Sequence, residues 1–158
     1  MGNGVFNVAK GRVAELHTRV NDGDPAASGL IVVLLKAVEV DTTLRDYATL
    51  DALLLAAGNT EADFTNYLPR KALVAADVGP VAVDNAADRI SCDVGDQTWT
   101  LAGGTLDNNL LKLLICYAPD TAGADTTIVP LTFLDFVAST DGNDLIATVH
   151  VDGYYQAT

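Results

Sequence analysis

The stretch Leu110–Tyr117 constrains the fold more than any other, because eight consecutive residues contain one charged side chain, Lys112. A Gly103–Gly104 pair precedes it and Pro119–Asp120 follows it. An apolar run of this length between turn residues is typical of a strand that is buried on both faces. We therefore predict a central strand here, in which the Lys112 amine must reach an acid or the end of the strand.

The rest of the chain supplies candidate neighbours for this central strand. Gly29–Val40 predicts a second buried strand that becomes a sheet edge towards its end. Beyond Glu61 short strand patterns alternate with turn residues about every 8–12 positions, as in antiparallel β proteins. Those expected to flank the central strand are Arg89–Leu101, Thr127–Val137 and Leu145–Val151.

Two segments have helical spacing. In residues 5–20 the apolar positions recur at intervals of four, three and four, and Asn7 is the expected cap; these positions are Ala9, Val13, Leu16 and Val20. In residues 46–57 the apolar face consists of Leu50, Leu53, Leu54 and Ala57. We expect Thr49 or Asp46 to cap this second helix and Gly58–Asn59 to end it.

Together these patterns predict a mainly β (α+β) protein. The expected architecture is an antiparallel β-sandwich or barrel of about six to eight strands. It carries an N-terminal helix and one helix at about 46–57. A length of 158 residues fits a single domain, residues 1–158, and the apolar content is sufficient for a core without disulfide or metal cross-links.

The charge balance excludes some partners. Nine basic residues stand against 21 acidic ones, a net charge of −12. Binding to nucleic acid requires clustered Lys and Arg, and an anionic membrane surface attracts the same residues. We therefore expect neither nucleic acid nor membrane as a partner. We also expect no signal peptide, and the apolar run Gly29–Leu35 is too short to cross a bilayer.

No motif for catalysis, cofactor or metal binding stands out. His17 and His150 lack a nearby nucleophile motif, and we interpret both as structural. Cys92 and Cys116 belong to no metal-ligand pattern and are interpreted as two buried thiols, although pairing is possible if their strands are adjacent. The sequence therefore predicts no enzyme, no catalytic or metal-binding residues and no cofactor.

Acidic and aromatic residues leave two alternatives open. Aspartates in loops usually serve the turns themselves, but a bound cation or a catalytic carboxylate pair needs similar clusters; the candidates are Asp84, Asp88, Asp93, Asp96, Asp120, Asp125 and the turn Asn21–Asp24. Trp99, Tyr154 and Tyr155 would form the stacking platform of a carbohydrate-binding module if they were exposed.

The N-terminal helix carries three of the nine basic residues, which are Lys10, Arg12 and Arg19. One interpretation is a solvated helix face, and the other is a docking element for an acidic partner surface.

The order of several segments resembles small virion structural proteins of tailed bacteriophages. The segments that carry the resemblance are Ala9–Leu16, Leu30–Leu35, Glu61–Tyr67 with Arg70–Lys71, Asp84–Ile90, Asp96–Thr100, Leu114–Asp120, Ile128–Thr132, Asp135–Phe136 and Thr140–Leu145. The resemblance implies a non-enzymatic part of a virus particle, located in the virion and assembled in the host cytoplasm. It transfers no catalytic residues.

Within that family, the resemblance favours a capsid decoration (cement) protein that binds the major capsid protein. A tail, neck or baseplate component and a receptor-binding carbohydrate module are the alternatives. The resemblance also implies a homo-oligomer such as a trimer. Symmetric contacts need an exposed apolar patch or a pairable edge, and the candidates are Leu30–Val40, Thr127–Val137 and Tyr154–Tyr155.

Overall fold

The structure is a computed structural model that describes residues 2–158, and most of these residues lie in or against β-sheets. The strands of this part of the chain are β1 Gly4–Val5, β2 Gly29–Ala37, β3 Thr60–Glu61, β4 Lys71–Leu73, β5 Ala82–Asp84, β6 Arg89–Cys92, β7 Gln97–Trp99, β8 Asn109–Ala118, β9 Val129–Ser139, β10 Leu145–Ala147 and β11 Tyr155–Ala157. The helices are α1 Val13–Asp22, α2 Asp41–Leu44 and α3 Leu50–Leu55, with 3-10 helices at Asn7–Ala9 and Asp125–Thr127. The prediction of a mainly β (α+β) protein is confirmed.

The predicted central strand is β8, and its neighbours differ in part from those expected. The main sheet has the order β1-β9-β8-β2-β3, and β4 also pairs with β2. Leu114 of β8 lies between Val33 of β2 and Phe133 of β9 in antiparallel register. The expected pairing with Thr127–Val137 is therefore correct.

The expected pairings of β8 with Arg89–Leu101 and Leu145–Val151 are wrong. Those segments form two small sheets, β11-β6-β5 and β10-β7. Their strands have three or four residues, too short to pair along the whole of a ten-residue strand. The long strand β2 pairs along β8 instead, and its other side pairs with β3 and β4. Towards its end β2 becomes an edge as predicted, because beyond Leu35 it pairs only with β3, and it ends at Ala37 rather than Val40.

The sheets are open, so the barrel alternative is wrong. Eleven strands are present in residues 2–158, more than the six to eight expected. Two of the additional strands, β1 and β3, have only two residues each. A two-residue strand carries no alternation that a sequence pattern could reveal.

Different parts of the protein lie against the two faces of the main sheet. Side chains alternate along β8, so Leu113 and Ile115 point to one face while Lys112 and Leu114 point to the other. Leu113 and Ile115 border a cleft whose opposite wall includes Val94 of the loop that follows β6. Lys112 faces α2 on the other side. The buried apolar side chains of both sides form one connected cluster.

The N-terminal helix is shorter than predicted. Its α-helical part begins at Val13 because Gly11 has φ +78°, outside the helical region. The first residues instead form β1 and a 3-10 helix. Asn7 does not cap α1, because its side-chain amide donates a hydrogen bond to Asp46 Oδ1.

The second predicted helix is also shorter, at Leu50–Leu55. Thr49 is its cap, as expected, since Thr49 Oγ1 accepts a hydrogen bond from the Ala52 N–H at 3.2 Å. The alternative cap, Asp46, is not used. The helix ends before Gly58–Asn59, where Ala56 is already extended. Asn59 still contacts the end of the helix, because its Nδ2 donates a hydrogen bond to the Leu53 carbonyl at 3.1 Å.

Candidate functional site

The one charged residue of the central strand lies in a buried ion cluster. Lys112 is fully buried. Its Nζ lies 2.6 Å from Asp135 Oδ1 and 2.9 Å from Asp41 Oδ1, and it donates to the Gly2 carbonyl at 2.5 Å. The prediction that this amine must reach an acid is confirmed. It finds one acid on the neighbouring strand and another on α2.

The Lys112 cluster ties the N-terminal segment to the main sheet. The Gly2 N–H donates to Asp41 Oδ2 at 2.7 Å, so the backbone of Gly2 binds both members of the Lys112–Asp41 pair. Burial alone would raise the pKa of Asp41, but the hydrogen bonds from Lys112 and Gly2 hold that pKa below its usual range.

A second cation binds two carboxylates at the opposite edge of the main sheet. Arg70 donates from Nε and Nη2 to the two oxygens of Glu61, each at 2.6 Å. Its Nη1 and Nη2 donate to Asp125 at 2.6 and 2.9 Å. Such bidentate pairs are strong and directional, and the Glu61 hydrogen bonds chiefly raise the pKa of Arg70. The cluster joins β3 to the Asp125–Thr127 helix.

Sequence reasoning missed the Arg70 cluster. Arg70 was visible only as one of two adjacent basic residues. Its partners lie nine and 55 residues away along the chain, so no local spacing pattern relates them.

His17 is a residue of α1 and is buried against the C-terminal segment. Its Nε2 lies 2.8 Å from the Gly79 carbonyl, and its Nδ1 lies 3.0 Å from the Tyr154 hydroxyl. A carbonyl only accepts, so Nε2 carries the proton and Nδ1 accepts from Tyr154. Burial lowers the pKa of His17, and the Gly79 hydrogen bond and the charge of Asp93 oppose this in part. The structural interpretation of His17 is confirmed.

We expect the protein to lose stability below pH 6.5 through His17. The lowered pKa of the folded state means that the unfolded chain binds a proton first, at the ordinary His pKa of 6.5. The stabilisation is complete above that pH. It falls by up to about 1.4 kcal/mol per pH unit until the pKa of the folded state is reached. Urea unfolding at pH values from about 7.5 to about 5.5, which bracket the ordinary His pKa, measures this loss of stability.

A His17→Gln variant should show a flatter pH dependence over the same interval, because its amide does not titrate. The matched control is His150→Gln, since the His150 side chain is 72% exposed and contacts only Asp152. The control should retain the wild-type slope. An unchanged slope in His17→Gln would contradict the assignment.

The loop aspartates accept hydrogen bonds from backbone N–H groups of their own turns or pair with neighbouring basic side chains. Asp84 Oδ1 accepts from the N–H groups of Ala86 and Ala87, both at 3.1 Å, and Asp120 Oδ1 accepts from Ala122 at 2.9 Å. Within residues 2–158, no group of three or more His, Cys, Asp or Glu side chains is arranged to hold a metal ion. The turn Asn21–Asp24 ends α1, with Gly23 in the left-handed conformation.

The cysteines and the candidate aromatics belong to the interior. Cys92 and Cys116 are free and fully buried, and burial raises the pKa of the Cys92 thiol to about 11. Their interpretation as buried thiols is confirmed. Trp99 and Tyr154 are buried as well, so they do not form the exposed platform that favoured a carbohydrate-binding module.

Two of the surface clefts in the described part of the chain are relevant to a binding site. The first has a volume of about 210 Å³ and lies between the main sheet and the C-terminal segment, where apolar side chains such as Leu134 and Phe136 line it. The second, about 760 Å³, lies beside Arg70 and is bordered by Leu68 and Ile31. The carboxylates in the second cleft already bind Arg70.

The sequence-predicted contact surfaces have different outcomes. The Leu30–Leu35 part of the Leu30–Val40 edge is not available, because β2 is paired and buried there, whereas Val40 is 67% exposed. In Thr127–Val137, Val137 is 75% exposed. Tyr154 is buried, whereas Tyr155 is half-buried. On α1, Arg12 and Arg19 both pair with Glu15, at 3.5 and 3.2 Å.

One exposed surface was not predicted from the sequence. We call it the loop end; it consists of the three loops at residues 64–68, 100–108 and 140–144. The Gly103 N–H donates to the Thr65 carbonyl at 2.9 Å, and the Gly142 N–H donates to the Ala102 carbonyl at 2.8 Å. Leu101 and Leu106 are exposed there. Leu101 has φ +49°, a conformation that costs a residue with a Cβ about 1–2 kcal/mol.

Across the described residues, no helix is long and apolar enough to cross a membrane.

Fold and contacts together define a mainly β (α+β) protein of open antiparallel sheets, cross-linked by the buried Lys112 cluster and the partly exposed Arg70 cluster. Comparison with protein-family models, with curated proteins and with solved structures gives no match.

Proposed function

We propose that this protein is a non-enzymatic structural component of a tailed-bacteriophage particle. The proposed location is the capsid, where it binds the outer face of the shell as a decoration protein and bridges shell subunits. The resemblance in the order of its segments motivates the proposal. The observation that carries it is that the buried Lys112 and His17 and the partly exposed Arg70 all bind partners within the protein.

Such an arrangement suits a mechanical role. The Lys112 cluster ties the N-terminal segment to the sheet, and the Arg70 cluster ties β3 to a distant loop. Segments fixed in this way should open less readily by local unfolding. Many copies, each burying about 800 Å² per partner, would reinforce the joints of a shell against internal pressure.

The proposal predicts binding to assembled shells and not to DNA. Purified protein is incubated with undecorated shells of the phage that encodes it. The shells are sedimented, and the pellet is assayed for the protein. Co-sedimentation that saturates at a fixed ratio of copies to shell subunits is the expected result. Double-stranded DNA of matched mass is the control, and the net charge of −12 should prevent its binding.

Failure to sediment with shells would contradict the capsid assignment. Purified tails, tested in parallel, separate the capsid location from a tail, neck or baseplate location. Size-exclusion chromatography with light scattering measures the mass of the free protein. A symmetric oligomer such as a trimer is the expected result.

A further inference from the structure

The loop end displays an apolar side chain on a strained backbone. Leu101 is 59% exposed and has φ +49°. Glycine or asparagine would adopt this conformation more easily. The fold therefore carries two unfavourable features at one residue, a left-handed backbone and an exposed leucine side chain. Strain that is maintained in this way is a reason to look for function.

Neighbouring side chains hold Leu101 in this conformation. Its N–H donates to Asp144 Oδ1 at 2.8 Å, and its carbonyl accepts from Asn66 Nδ2 at 2.9 Å. Both polar groups of its backbone are thus fixed by residues of the other two loops. The direction in which the side chain leaves the backbone is consequently set before any partner arrives, which reduces the entropy lost on binding.

A second exposed leucine is fixed at the same end. The Leu106 N–H donates to Thr65 Oγ1, and its carbonyl accepts from the Thr65 N–H, both at 3.0 Å. Leu106 is 48% exposed. Because Thr65 and Asn66 are adjacent in the chain, the backbones of Leu101 and Leu106 are attached to the same short turn. Two of the three exposed leucines of the loop end, Leu101 and Leu106, are therefore held by the same turn.

The charges around this pair have one sign. Residues 64–68, 100–108 and 140–144 contain no Lys, Arg or His, and their charged residues are Asp107, Asp141 and Asp144. A complementary surface would be an apolar depression bordered by Lys and Arg side chains. An acidic or anionic surface would be repelled.

We infer that the loop end is the surface that docks on the shell, with Leu101 and Leu106 inserted into an apolar depression bordered by basic side chains of the shell protein. The inference rests on the proposed function and names the part of the protein that performs it. It also separates two properties of Leu101, because the side chain serves docking while its backbone conformation works against folding.

The decisive variant is Leu101→Gly. Glycine accepts the left-handed conformation without strain, so the melting temperature should stay the same or rise. Binding to undecorated shells should weaken at least about tenfold, since the central apolar anchor is lost. Leu106→Ser should weaken binding to a similar degree. Leu55→Ser is the matched control, because Leu55 is an exposed leucine of α3. This helix packs beside the Asp125–Thr127 helix before the start of β9, whereas the loop end follows the last residue of β9, so the control should bind like the wild type.

The outcomes distinguish this inference from the proposed function. Wild type and both leucine variants binding equally would overturn the inference while the capsid assignment stands. Wild type failing to bind would contradict both. Equal losses in Leu55→Ser and Leu101→Gly would also overturn the inference, because binding would not be confined to the loop end.

A second measurement tests the charge of the partner. Asp141→Asn preserves an oxygen that accepts from the Asn143 N–H but removes one negative charge from the loop end. Its affinity should fall severalfold, and wild-type affinity should fall as salt is raised from about 0.05 M to about 0.5 M. If neither change alters the affinity, a basic partner surface is contradicted.

Discussion

Replacing Lys112 with methionine is expected to lower the free energy of unfolding by about 3 kcal/mol, the lower end of the range for removing one partner of a buried ion pair. Methionine fills a similar volume but leaves Asp41 and Asp135 beside each other without a cation. Their side chains are partly exposed, so water solvates part of the charge and the upper end of the range is not reached. The Gly2 carbonyl also loses its donor.

Urea unfolding at neutral pH measures the effect, and Lys36→Met is the matched control. Lys36 lies next to the Leu35 that pairs with Lys112, and its ion pair with Asp63 is more exposed. The control removes the same charge and should change the stability by less than about 1 kcal/mol. Equal effects of the two variants would contradict a buried cluster. Adding Asp41→Asn and Asp135→Asn to Lys112→Met should restore part of the loss.

Replacing Gly153 with alanine is the second change with a large expected effect, about 2–5 kcal/mol. Gly153 has φ +83°, and a Cβ there would overlap the backbone carbonyl of Cys92. The left-handed conformation costs about 1–2 kcal/mol, and forcing an extra methyl against backbone costs about 1–3 kcal/mol more. The Tyr154 N–H donates to that same carbonyl at 3.0 Å, so the contact that begins β11 should be lost.

Gly23→Ala is the control for this variant. Gly23 also has a positive φ, +64°, but no atom lies within 4 Å of an added Cβ. Only the backbone cost of about 1–2 kcal/mol should appear. Thermal unfolding compares the two, and hydrogen exchange at Tyr155–Ala157 reports the strand directly. Similar losses in both variants, with β11 still protected, would contradict the assigned contact.

The parts of the fold with long uniform patterns were predictable. Leu110–Tyr117 and the first half of Gly29–Val40 are strands because a run that is apolar on both faces is stable only inside a sheet. Thr49 was recognisable as a helix cap because capping depends on residues three positions apart. The neighbours of β8 were only partly predictable, since pairing depends on distant segments whose lengths must match.

The candidate site was much less predictable. The sequence showed that Lys112 needs an acid, but not which one. Asp41 and Asp135 come from 71 residues before it and 23 residues after it. Leu101 carried no signal either, because a left-handed leucine in a turn has the same one-letter pattern as any exposed loop leucine. Its conformation depends on Asn66 and Asp144, which belong to other loops.

The sequence alone determined that this protein has a buried antiparallel core, an acidic surface and a lysine that requires a partner in its central strand. These properties follow from composition and short-range periodicity, which act through burial and local backbone preference. The tertiary structure alone decided which strands pair with β8, which carboxylates bind Lys112 and Arg70, and which leucines remain exposed. Those choices depend on contacts between residues far apart in the chain, and local physical preferences do not encode them.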